Sequence, residues 1–353
     1  LPSAAPAHHL SEETTTIIED WKLYSLFKIQ IATETCPWLN SDHDSIREQK
    51  LAQQATIDIS AQERNTRLSA HSITRAVTCL TDFGYCIVPG LLVSQRDTIL
   101  EFGQAILSDV HTAAEILRNN FEIDIYDPTN STFEPESYRE LSMREDFRLD
   151  LRDGPTLRRL RGNNAASANQ PRRVGQQQQH DQDCSSCCKD NDFLRGHADI
   201  LEIVQRTMNP TCSKPTISHG NYGRFNFDGG GPNGTFQDLN MGVVGGIVSL
   251  PGAADQAIHA DTPHLFEIHP HLPPHYINVF TPGYCPYTEH VGQTAFVHGS
   301  HRLDVCAQHV DTNTFELDAN VWYFLVRPKL NLGDVVFFDC RILHFGLANH
   351  AAA

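Results

Sequence analysis

In the segment IHADTPHLF (258–266), His259 and Asp261 stand two positions apart. Alternate residues of an extended strand face the same side, so an imidazole and a carboxylate at this spacing converge on one point. Two imidazoles and one carboxylate on one face of an ion make the binding set of a non-haem Fe(II) centre. That set leaves positions open for a chelating co-substrate and O2. The second imidazole has to come from a distant strand. His344 in GDVVFFDCRILHFGLAN is the candidate, because it is expected to end a long apolar strand that an antiparallel fold brings beside the first. Alternation gives His344 the parity of Cys340 and Ile342 and puts Arg341 on the opposite face. Alone, His-x-Asp is a weak pattern in a chain with 19 histidines and 43 acidic residues.

The elements that must position these residues show as changes of pattern. Residues 1–70 carry helix-like segments such as TTTIIEDWKLYSLFKIQIATE and read as a helical N-terminal extension to a domain at 71–353. AHSITRAVTCLTDFGYCIVPGLL predicts a short amphipathic helix that runs through Asp82-Phe83-Gly84 into a strand from Tyr85 to Val88, stopped by Pro89-Gly90. Ser94 with Asp97 predicts a capping box. Behind it Ile99, Leu100, Ile106, Leu107, Val110, Ala114 and Leu117 recur at helical spacing. Residues 163–192 are polar, Gln-rich and aperiodic, and read as an exposed insertion. Within it, His180, Cys184, Cys187 and Cys188 are followed only by Cys212 and His197, without the second paired set of a structural zinc site. From about residue 215, NYGRFNF, GVVGGIVSL, HYINVFT, QTAFVHG, VWYFLV and DVVFFDCRILHFG are strand-like runs with no helices between them. The fold class is therefore mainly β with flanking helices: an antiparallel sandwich or barrel, of which the jelly roll is the common closed form.

Order makes the histidine pattern specific. Gln256-x-x-His259-x-Asp261, a strand, GQTAFVHGSHR (292–302) and GDVVFFDCRILHFG (333–346) follow one another along the chain. This succession resembles the phytanoyl-CoA hydroxylase (phytanoyl-CoA dioxygenase) family of Fe(II)/2-oxoglutarate-dependent dioxygenases. DFGYCIVPGLL (82–92) is similar to that family's opening block, so the likeness spans about residues 75–350. The resemblance implies a cupin-like double-stranded β-helix with His259, Asp261 and His344 as iron ligands. It implies Gln256 and Thr294 near 2-oxoglutarate, and Phe280 as an aromatic wall or a plain core residue. Fe(II) is the implied cofactor, with 2-oxoglutarate and O2 as co-substrates: oxidative decarboxylation to succinate and CO2, with hydroxylation as the default outcome. The family's arginine for the far carboxylate falls roughly ten residues past the last histidine. Ala353 stands nine past His344, so either that arginine lies beyond it, the favoured reading, or this member lacks it; residues are likewise expected before Leu1. Arg341 is a poor substitute by parity, and Arg224 is the remaining stand-in.

Composition narrows the classes further. A formal net charge of −16 repels a phosphate backbone, so nucleic acid is not an expected partner. Highly anionic substrates, CoA thioesters included, are disfavoured unless the pocket is locally basic. Neither a membrane span nor a signal peptide is legible. Ten cysteines without regular spacing point to an intracellular reducing compartment, cytoplasm or organelle matrix, and the sequons at Asn130 and Asn233 carry little weight. His269, His271 and His275 in EIHPHLPPH read as a loop at the mouth of the barrel, a candidate lid. His298 and His301 read as surface or supporting groups around a turn at Gly299-Ser300. The first functional reading is an oxygenase that hydroxylates a small organic or lipid-like molecule. Its rival is a silent member serving as a structural or binding subunit, assembled through the N-terminal extension. A cupin-type isomerase is the third.

Overall fold

The computed structural model describes residues 42–121, 124–127, 141–145, 147–152, 193–194, 196–208, 245–262, 273–284, 291–306, 309 and 319–351. The insertion at 163–192, NYGRFNF with Arg224, Asn130, Asn233, Cys212, His269 and His271 lie outside the described residues, as do the first 41 residues. Six helices, α1 (Asp42–Gln54), α2 (Ala61–Asn65), α3 (Ala70–Phe83), α4 (Arg96–Phe121), α5 (Ala198–Met208) and α6 (Leu303–Cys306), flank nine strands among these residues. The strands are β1 (Tyr85–Val88), β2 (Leu141–Glu145), β3 (Arg148–Arg152), β4 (Gly245–Ser249), β5 (Ile277–Phe280), β6 (Thr294–Val297), β7 (Leu325–Val326), β8 (Val335–Asp339) and β9 (His344–Gly346). They form three antiparallel sheets, β1-β8-β5, β2-β3-β4 and β7-β6-β9, rather than one closed barrel.

Strand alternation explains how these layers stack. In β8, Val335 and Phe337 face the helix layer, where they meet Ile73, Ala76 and Leu80 of α3 and Ile203 of α5. Val336 and Phe338 face the other way, onto Tyr85 and Ile87 of β1 and Phe296 and Val326 of the β7-β6-β9 sheet. With both faces covered, the run VVFFD is apolar up to its last residue and wholly buried. Behind the third sheet, Ala295, Val297, Leu343 and Phe345 pack under Cys306 and Val321. Under α4, Ile106, Val110 and Ala114 cover Leu149 and Leu151 of β3.

Helix α3 forms as its pattern requires. Ile73, Ala76, Cys79 and Leu80 make one buried stripe, and the Ser69 hydroxyl caps the first turn. Gly84 ends the helix at φ +80, and its N–H donates to the Leu80 carbonyl. The chain then turns directly into β1.

Several expectations need correction. No capping box forms at Ser94: Val93–Gln95 is a 3-10 turn, and α4 starts at Arg96. The box that does form joins Ser60 to Glu63, whose carboxylate also accepts hydrogen bonds from the Ser72 hydroxyl and the Ser69 N–H. Those bonds hold the Glu63 carboxyl well below its ordinary range. VWYFLV is mostly a 3-10 turn, because Ala319–Phe324 wraps under the third sheet and leaves only Leu325–Val326 extended. Helical structure therefore persists after residue 215, as α6 and this turn show. Nor does His344 end a long strand: the chain leaves β8 at Asp339, turns through Cys340–Ile342 and enters a different sheet at His344. His298 and His301 are buried, the first bonded to the Tyr85 hydroxyl at 3.0 Å and the second to the Thr81 carbonyl at 2.9 Å. Burial pushes both imidazoles down to about 4, which keeps them neutral.

No helix among the described residues is long and apolar enough to cross a membrane.

Candidate metal centre

His259 and His344 are directly opposed across an antiparallel pair. The His259 N–H donates to the His344 carbonyl at 2.9 Å, and the His344 N–H returns the bond at 2.8 Å. Opposed residues project to the same side, so the two imidazoles lie together, ring centroids 4.6 Å apart. Ile258 and Leu343 point away into the apolar cluster behind the sheet. Asp261, two residues beyond His259, completes the group. One carboxylate oxygen lies 3.7 Å from His259 Nε2, the other 3.7 Å from His344 Nε2. Donor atoms of all three residues lie within 4.8 Å of one another.

What fits this set to a cation is the orientation of each ring. His259 Nδ1 lies 2.8 Å from the Ala257 carbonyl and His344 Nδ1 2.9 Å from the Ile342 carbonyl. A carbonyl only accepts, so the proton sits on Nδ1 in both rings and each Nε2 presents its lone pair toward Asp261. Asn278 Nδ2 donates to Asp261 Oδ2 at 2.7 Å, the oxygen on the His344 side, while Oδ1 faces His259. Such outer hydrogen bonds orient ligands and tune the ion they hold. Burial, reinforced by Asp261, pushes the neighbouring Cys340 thiol far up, so no thiolate competes with the nitrogen–oxygen set.

The turn at Gly299-Ser300 supports this arrangement. Ser300 Oγ donates to the Val297 carbonyl at 2.7 Å and accepts from the Leu343 N–H at 2.9 Å, which holds the backbone next to His344. Phe296, paired opposite His344 in β6, and Phe338 pack against its ring at 6.2 and 5.1 Å between centroids. One flank of the site is thereby dry.

The other sequence candidates fall at graded distances from the triad. Gln256 Oε1 accepts from the Gly346 N–H at 2.9 Å, two residues along β9 from His344. Thr294 is paired with Gly346 and shares the face of Phe296 and His344. Phe280 stacks edge-on against Phe338 at 4.9 Å and belongs to the central core. Arg341 is buried in an ion pair with Asp339, so it is committed to that carboxylate. His275 is half-buried, and burial followed by the Arg341 charge lowers its pKa.

Asn278 was missed in the sequence, although a lone amide within the apolar run INVF is a signal of an inward polar task. We expect Asn278→Ala to weaken divalent-metal affinity about 10- to 100-fold while the fold is kept. Isothermal titration with Mn(II) reads this directly, and an unchanged affinity would remove Asn278 from the site.

No curated protein matches the chain. Among solved structures, the chain is similar to AviO1 from Streptomyces viridochromogenes Tue57 at 13% identity and a TM-score of 0.34, over 81% of this chain and 92% of that one. It is also similar to the hypothetical protein JW0805 from Escherichia coli at 12% identity and a TM-score of 0.42, over 97% and 82%. The family model described as phytanoyl-CoA dioxygenase (PhyH) matches residues 80–353, a span that holds the whole triad and its supports, and the chain belongs to that family.

Proposed function

We propose that this protein is a non-haem Fe(II)- and 2-oxoglutarate-dependent oxygenase that hydroxylates a small organic or lipid-like substrate on a double-stranded β-helix core. The observation that carries the reading is the convergence of two Nε2 atoms and one carboxylate, each fixed from behind by a hydrogen bond. His259, Asp261 and His344 would hold the iron, which when bound supplies the oxidising chemistry that no side chain can perform. The chain's own part is positional. Ala257 and Ile342 carbonyls fix the ring tautomers, Asn278 fixes the carboxylate, and Phe296 and Phe338 keep water off the buried His344. Gln256 ties its segment to Gly346 through both its backbone and its side chain, so the two halves of the site keep register.

Anaerobic addition of Fe(II) and then 2-oxoglutarate to the full chain is expected to give the weak visible charge-transfer band of a metal-bound 2-oxo acid. Admitting O2 should bleach the band and release succinate. If neither band nor succinate forms, the oxygenase reading fails, and a binding or structural role takes its place.

A further inference from the structure

Cys79 and Cys86 meet across the seam between α3 and β1. Cys79 belongs to the buried stripe of α3. Alternation turns Cys86, with Val88, toward that helix, while Tyr85 and Ile87 face the other way. Both are free thiols and both are buried. The Cys86 S–H donates to the Cys79 sulfur. The Cys79 S–H donates in turn to the carbonyl of Gln54, the last residue of α1, at 3.5 Å. Arg75 Nη2 donates to the same carbonyl at 2.9 Å. Gln54 is an exposed residue, so this line of hydrogen bonds runs from the buried pair toward the surface.

The segment between the two cysteines, residues 80–85, holds the supports of the candidate metal centre. The Phe83 carbonyl accepts from the Gly299 N–H at 3.0 Å, and the Thr81 carbonyl lies 2.9 Å from His301 Nε2. The Tyr85 hydroxyl is bonded to His298 Nδ1 at 3.0 Å. All three reach the turn whose Ser300 hydroxyl accepts from the Leu343 N–H, beside His344. The Gly84 carbonyl accepts from the N–H of Asp339, where the chain leaves β8 toward His344, at 2.9 Å. The segment has little slack: a Cβ built on Gly84 would lie 2.5 Å from His301 Nδ1.

From this placement we infer that Cys79 and Cys86 are a redox-sensitive pair: hydrogen peroxide joins them as a disulfide, and the displacement of residues 80–85 weakens divalent-metal binding at His259, Asp261 and His344. The second half rests on the metal-binding reading above. Cys79 is the entering nucleophile. Donation from Cys86, helped by the Arg75 charge, holds its thiol below the ordinary range against burial, whereas burial pushes Cys86 far up. The Cys79 sulfur attacks one peroxide oxygen, the O–O bond breaks, and the departing hydroxide takes the Cys79 proton and leaves as water. The Cys86 sulfur then attacks the sulfur of the resulting sulfenic acid, the S–O bond breaks, and the hydroxide leaves as water with the Cys86 proton. Two thiols give up two electrons, and one peroxide is reduced to two waters. A disulfide holds its sulfurs about 2.0 Å apart, well inside hydrogen-bonding separation, so the end of α3 and the start of β1 have to move together.

Trypsin cuts after Arg75 and Arg96, so both sulfurs leave in one peptide, residues 76–96. The metal-free full chain is treated with a small excess of hydrogen peroxide, quenched with catalase, and alkylated before digestion. The peptide should be two hydrogens lighter and unalkylated, and prior treatment with dithiothreitol should return it to the doubly alkylated form. Mn(II) affinity of the same samples before alkylation, read by isothermal titration, should fall about 10-fold on oxidation, the lower end of losses seen for outer supports of a metal site. It should recover after reduction and removal of the dithiothreitol. Cys86→Ala should keep its affinity through the peroxide step, and Cys79→Ala serves the same purpose if that variant does not fold. A peptide that stays in the dithiol form while other cysteines of the chain oxidise overturns the inference, and peptide mapping of wild type decides this without any variant. A disulfide that leaves Mn(II) affinity unchanged overturns it as well, as does an equal loss of affinity in the Cys→Ala variant. If the reduced wild type binds no Mn(II), the metal-binding reading fails, and the coupling fails with it whatever the peptide shows.

Discussion

Asp261→Asn is expected to abolish turnover and to lower divalent-metal affinity by more than about 100-fold, beyond the loss typical of an outer hydrogen-bond partner. The substitution keeps the shape of the side chain and removes the charge that faces both Nε2 atoms at 3.7 Å. Because Asp261 is exposed at the residue level, the metal-free variant should unfold within about 0.5 kcal/mol of wild type. The difference should appear on loading. A ligand at 100 times its dissociation constant stabilises a fold by about 2.7 kcal/mol, so Mn(II) should raise the wild-type melting temperature and leave the variant unmoved. Equal metal-induced stabilisation of both proteins would show that the carboxylate is no ligand.

How much of this centre was legible in the chain depends on the range of the signal. His259-x-Asp261 is local, and alternation finds the pair, although only His259 is extended and bridged while Asp261 lies in the bend that follows. His344 was found by type and order, but through the wrong element: the apolar run DVVFFDCRILHFG reads as one strand because hydrophobicity does not mark a turn whose residues are all buried. Cys340, Ile342 and Leu343 look like strand residues for that reason. The histidines at 298 and 301 look like surface residues beside Gly-Ser, yet each is neutral and bonded to a partner more than 200 positions away. Arg148 was illegible as a buried residue. Alternation in RLDLR gives two faces, but only the packing of α4 on the leucines decides which one turns inward. Tertiary context supplies that information, and the sequence holds it only in distributed form.

Replacing Arg341 with methionine should be the most destabilising single change near the site, at about 3–5 kcal/mol, because it strands a buried carboxylate. Asp339 is 1% exposed, and burial by itself would raise its pKa. The Arg341 charge and its hydrogen bonds, from Nε at 2.9 and 3.1 Å and from the backbone N–H at 2.9 Å, outweigh burial and hold the carboxyl below its ordinary value. With its folded pKa depressed, Asp339 in wild type contributes stability that is present above the unfolded carboxylate pKa and lost as pH falls through the folded value. In Arg341→Met only the backbone N–H of residue 341 still donates, the guanidinium charge and its bonds being gone, so burial prevails and the sign reverses: the folded pKa rises, and stability is lost as pH climbs through it. The stability gap between the two proteins, read by urea unfolding, should therefore narrow between pH 8 and pH 5, and a gap that is constant over that range would contradict an ionised buried pair. Metal affinity should fall as well. The Asp339–Ile342 turn is tied to the Tyr276 carbonyl at the head of β5 and, through the Cys340 carbonyl, to the Thr262 N–H beside Asp261. It delivers His344 to one sheet while holding Asp261 in register with the other, so loosening the Arg341–Asp339 pair loosens both ligands at once.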